Sequence, residues 1–164
     1  MRRGDAALVR RAAFAGLALL ASFCAGGRNI GNTSIAGHGA ISISIAPNPI
    51  VATRVSGSTY DFPFEVVVRE TGGRPVDIDK VSADVFALGG IHIGKESYDT
   101  AKISGMGYST RVPANGELRY QFNPRRDVTD NHLFQGVSAD VRVEGRDDAG
   151  TPTSAATKVT VTRG

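Results

Sequence analysis

From Ile41 to Thr162 apolar residues recur on alternate positions, and this period of two constrains the fold more than any other feature. A chain whose side chains change face at every step is extended and buried on one side. Ile41, Ile43 and Ile45 alternate with Ser42 and Ser44. Phe62, Phe64, Val66 and Val68 stand opposite Asp61, Glu65 and Arg69. Val81, Ala83, Val85 and Ala87 oppose Lys80, Ser82 and Asp84. The clearest run is Val137, Ala139, Val141 and Val143, with Ser138, Asp140, Arg142 and Glu144 on the other face. Val159 and Val161 carry the last one. No segment after residue 24 has a helical period, and no internal repeat is present, which argues against a solenoid or propeller.

The interruptions give the order of elements. Pro47-Asn48-Pro49 cannot sit in a central ladder, so the first strand is expected at an edge, kinking there and resuming over Ile50–Val55. Further strands are predicted over 60–70, 78–88, 108–112, 117–122, 136–145 and 153–162. Asn115-Gly116 between two alternating runs predicts a hairpin joining 108–112 to 117–122, because both residues tolerate positive φ. Ile91-His92-Ile93 reads as a short strand, Lys95–Ser104 as a crossover loop, and Asn123–His132 as a polar connection. The stretch Gly89–Gly107 is where a binding surface is expected, since long irregular insertions in compact domains are often functional. Residues 40–164 thus predict an all-β fold: a two-sheet antiparallel sandwich of about seven strands. A lipocalin-type barrel fits less well with uneven strands and a long crossover.

The opening ISISIAPNP, the turn VRETGG, the run VPANGELRY and the closing VRVEGRDDAG with KVTVT resemble bacterial immunoglobulin-like or fibronectin-type-III-like domains of exported proteins over roughly residues 40–163. The chain has no tryptophan, and its single cysteine, Cys24, precedes the domain. The paired cysteines and core tryptophan of antibody domains are therefore missing, and the resemblance implies the broader sandwich architecture alone. It also implies a spacer, an adhesion module or a ligand-binding accessory rather than an enzyme.

The first eleven residues, MRRGDAALVRR, form a cationic segment, and Ala12–Phe23 is an apolar or small run of 12 residues. That length suits a secretory signal and falls short of the roughly 20 residues a membrane span needs. Cys24 follows directly, in LLASFCAGG, which resembles the lipobox of bacterial lipoproteins; Phe23 departs from the small residue that pattern places before the cysteine. Residues 1–24 are expected to be a signal peptide and 25–39 a flexible tether. Two fates stay open: lipidation at Cys24, or ordinary cleavage after Cys24 or Gly26 and free secretion. Either places the protein outside the cytoplasm, in the cell envelope or secreted, with membrane contact only through the lipidated end.

Charge excludes one partner class. Without Arg2, Arg3, Arg10, Arg11 and Asp5, the 19 basic and 16 acidic residues become 15 and 15. Arg125 and Arg126 adjoin, but Asp127 and Asp130 stand beside them, so no cationic face exists to displace counterions from nucleic acid. A protein or surface partner is expected instead.

His38, His92 and His132 fall in the tether or in loops, and no G-x-S-x-G elbow accompanies them, so no catalytic residue is assigned. No cofactor is required by the sequence. Calcium is the one metal considered: Asp77, Asp147 and Asp148 fall at turns that an immunoglobulin-like topology brings to one pole, and calcium prefers hard oxygens. The competing reading is that aspartate and glycine are simply what such turns use. For glycan stacking, Phe86, Tyr98 and Tyr108 are the aromatic residues expected nearest the surface, whereas Tyr60 and Tyr120 continue inward rows.

Overall fold

A computed structural model describes residues 37–129 and 134–164. The signal segment, Cys24, most of the tether, Asp130 and His132 lie outside the described residues.

Two β-sheets pack face to face, as the alternation requires. The strands are β1 (Ile41–Ala46), β2 (Ile50–Ser56), β3 (Thr59–Asp61), β4 (Phe64–Glu70), β5 (Val76–Phe86), β6 (His92–Asp99), β7 (Arg111–Val112), β8 (Glu117–Phe122), β9 (Arg125–Asp127), β10 (Ser138–Asp147) and β11 (Pro152–Arg163). One sheet has the order β1-β4-β8; the other runs β6-β5-β10-β11-β2-β3-β9, with β7 on the edge of β5. All pairings are antiparallel except β2 on β11. The core lies between the sheets. Val66 and Val68 of β4 and Tyr120 of β8 face Val81 of β5 and Val141 and Val143 of β10, all buried. Each fully buried valine contributes about 1.5–3 kcal/mol of hydrophobic stabilisation.

The proline-rich kink does what its sequence implies. β1 pairs with β4 in the first sheet, the chain turns through Pro47 and Pro49, and β2 joins β11 in the second. A single N-terminal stretch therefore spans both layers.

Four expectations change. The run 60–70 is two strands, β3 and β4, in different sheets. Residues 95–99 are not loop: β6 pairs with β5 from Lys80↔Asp99 to Phe86↔His92. A short helix, α1 (Thr100–Gly105), follows; Asp99 caps it by accepting the Lys102 amide at 2.8 Å, and Ile103 anchors it in the core. The turn at Pro113–Gly116 forms, with Asn115 at φ 55° and the Gly116 amide donating to the Pro113 carbonyl, but it does not make a hairpin. β7 pairs with β5 and β8 with β4, so this turn carries the chain from one sheet to the other. Asn-Gly chemistry fixes a reversal, whereas the partner of each flanking strand is set by which sheet buries its apolar face. Last, Arg125–Asp127 is not an unstructured connection but a three-residue edge strand on β3.

Candidate functional site: an apolar cavity at the open pole

The two ends of the sandwich are built differently. At the pole where the N-terminal segment enters, two carboxylates are buried. Glu70 Oε1 accepts the amides of Ala40 (3.1 Å) and Gly72 (2.6 Å), while Oε2 accepts those of Gly73 (2.9 Å) and Asn115 (2.8 Å). Asp147 Oδ2 accepts Gly39 (3.1 Å), and Oδ1 accepts Ala149 (3.0 Å) and Thr151 (2.8 Å). Each residue is only 3% exposed. Burial pushes the Glu70 carboxyl up, but its four amide donors outweigh that and hold its pKa below the ordinary value. The Gly39 amide chiefly lowers Asp147, against burial and with help from Thr151 and Ala149. Together these acids clasp three loops and the incoming chain.

This clasp changes the reading of the calcium candidates. Asp147 is committed to loop amides, Asp148 pairs with Arg74 at 2.8 Å, and Asp77 pairs with Arg111 at 2.7 Å. Among the described residues no group of three or more His, Cys, Asp or Glu side chains is placed to hold one metal ion. Asp77, Asp147 and Asp148 thus have three separate sets of protein partners. Nor do the aromatic residues form a platform. Tyr98 is buried, its ring centroid 4.2 Å from that of Phe122, and Phe86 and Tyr108 are half-buried.

Among the described residues the opposite pole is open. Between the sheets lies a cavity of about 280 Å³ whose floor is Phe64, Ala83, Val85, Ala139, Val141 and Val161. The hollow exists because positions 83 and 139 carry alanine where their inward neighbours on β5 and β10 carry valine. Ile50 and Phe62 add to one wall, and Phe134 closes part of the top, its ring 5.0 Å from Tyr60 and 6.4 Å from Phe62.

The mouth is made by the two strands that end the larger sheet. β6 contributes Ile93 to Glu96, and β9 with its following residues contributes Arg126 to Thr129. Arg126 and Glu96 form an ion pair across this gap, linking the opposite edges of one sheet. Glu96 is the more enclosed partner, with a side chain 17% exposed against 59% for Arg126. Asp127 accepts the Thr59 hydroxyl at 2.5 Å, and Lys95 reaches Asp84 at 3.4 Å, so the rim charges are individually partnered.

Beside the mouth the β5–β6 connection carries Leu88 and Ile91, 70% and 65% exposed, on a 3₁₀ turn whose Gly89 and Gly90 both hold positive φ. Leu88 leans towards Gly136, where a Cβ would come within 2.9 Å of its Cδ1. With Ile93 these residues make an exposed apolar lip, of which Ile93 also lines the cavity. Of the expected surface Gly89–Gly107, Ile91 and Ile93 belong to the lip, while Leu88 precedes it and the cavity draws on β9, β10 and β11 as well. The one local signal for the cavity was the pair of inward alanines. Among the described residues no helix is long and apolar enough to cross a membrane.

No protein-family model matches the chain, and no curated protein matches it in sequence. Solved structures match in three dimensions. The Northeast Structural Genomics Consortium target SoR45 shares 9% identity over 77% of this chain and 89% of its own, with a TM-score of 0.52. A Bordetella pertussis structure bearing the name ApaA shares 9% over 74% of this chain and 93% of its own, at 0.46. The CARDB domain of the PF1109 protein from Pyrococcus furiosus, solved in complex with di-metal ions, shares 14% over 83% of this chain and 98% of its own, at 0.39. The first of these likenesses shows the fold: an all-β sandwich.

Proposed function

We propose that this chain is a non-catalytic β-sandwich module of the bacterial cell envelope, held by its N-terminal side and offering its open pole to a protein or surface partner. The observation that carries this reading is the placement of Leu88 and Ile91. Two large apolar side chains stand in solvent on a hairpin tip, at the pole opposite the point where Gly39 and Ala40 enter the fold. Contiguous exposed apolar surface on a small domain marks contact sites. A tether at the clasped pole would leave the lip pointing away from its anchor.

A photo-crosslinking residue at position 91, introduced in the native envelope, should trap a discrete adduct, while the same residue at Ser154 on the clasped side should not. Equal yields at both sites, or none at 91, would refute the reading. For the anchor, mass spectrometry of the membrane fraction should find a diacylated Cys24; a soluble chain beginning at Ala25 or later would remove it.

A further inference from the structure

We propose that the cavity binds the hydrocarbon chain of a medium-chain fatty acid, with the carboxylate held at the mouth by Arg126. Three observations support it.

The first is chemistry: the floor is hydrocarbon from Phe64 to Val161, with no charged or amide side chain among its residues, so a polar guest would lose its hydration there without replacement.

The second is size and shape. A cavity of about 150 Å³ accepts a six-carbon ring, so by proportion about 280 Å³ accommodates roughly ten or eleven carbons. Val137, Ala139 and Val141 line it in succession, a span of about 14 Å at ~3.4 Å per residue. That length matches an extended chain of about ten carbons.

The third is the mouth. A guanidinium carries five N–H donors in a planar fork suited to carboxylates. Arg126 spends part of this fork on Glu96 and on the Arg125 carbonyl at 2.8 Å, and most of its side chain faces solvent. A ligand carboxylate can therefore share the guanidinium while its chain descends past Ile93 to Ala139. Glu96, largely enclosed, keeps Arg126 in position between ligands.

This assignment is independent of partner docking on the lip, which would survive its failure. The test is displacement of a polarity-sensitive fluorophore from the purified chain, a suitable readout because tryptophan is absent. Decanoate should displace it with one-to-one stoichiometry. From hexanoate to decanoate each added methylene should tighten binding about fourfold. The gain should cease by hexadecanoate, whose chain outruns the cavity. Ala139→Leu, which fills the floor and should melt no lower than the parent, should weaken decanoate at least tenfold. Arg126→Gln should weaken decanoate about five- to tenfold and leave decanol unchanged. Vesicles of phosphatidylglycerol should not compete, because two long acyl chains exceed the volume of the cavity. The proposal is overturned if decanoate fails to displace the probe, if folded Ala139→Leu binds it as well as the parent does, or if hexadecanoate or the vesicles compete better than decanoate. Equal losses for decanoate and decanol in Arg126→Gln would overturn the headgroup assignment.

Discussion

Replacing Glu70 with glutamine keeps the shape of the side chain and changes only what one of its two terminal atoms can do. In the native fold Oε1 serves Ala40 and Gly72, and Oε2 serves Gly73 and Asn115. A glutamine oxygen can satisfy one of these pairs; its NH₂ group must then confront the two amides of the other, donor against donor. With the site 3% exposed, water has little room to make up the loss. Each buried donor left without an acceptor costs about 1–3 kcal/mol, and partial loop relaxation brings the total to about 3–4 kcal/mol. For a domain of this size that lowers the melting temperature by about 10–15 °C. Thermal unfolding followed by circular dichroism at neutral pH measures it directly. The acid limb provides a second reading. Because the folded carboxyl titrates below its ordinary 4.5, the unfolded chain takes up the proton first as pH falls. The stability contributed by Glu70 is therefore complete above about pH 4.5 and is lost as pH drops through the folded value. Glu70→Gln should flatten the stability profile in that window, leaving the share that Asp147 contributes. A melting shift under about 3 °C, or an acid limb as steep as the parent's, would refute the account of Glu70 as the clasp.

Gly145 sits where the register of β5 against β10 shifts, and a Cβ there would lie 2.5 Å from the Asp77 carbonyl oxygen and 3.1 Å from Val76 Cγ1. Gly145→Ala should cost about 1–3 kcal/mol in chemical denaturation, and an unchanged midpoint would contradict the packing described. Adding calcium or a chelator should leave the melting temperature where it is, since Asp77, Asp147 and Asp148 already have partners; a rise with calcium that disappears in Asp148→Asn would reinstate a metal at that pole.

The faces of β4 and β10 are legible from parity alone because each buries one side completely. Glu70 continues the row of Phe64, Val66 and Val68, and Asp147 continues that of Val141 and Val143, so both acids fall on inward positions. An acid at the end of an inward row is a local sign of a buried cap. Strand pairing was less legible. β6 is an edge strand with one buried residue, Tyr98, so its sequence carries little alternation, and α1 buries only Ile103. Asn115-Gly116 signalled a turn without saying that its two arms belong to different layers. The cavity was hidden for a similar reason, since a hollow arises from small side chains on elements distant in sequence.

The switch of the N-terminal stretch from β4 to β11 has a mechanical consequence. β1 runs from the clasped pole to the open one, and so does β11. Tension entering at Ala40 and leaving at Gly164 would thus be directed along the strands, loading their ladder hydrogen bonds side by side rather than one after another. Such a joint yields only when many bonds fail together.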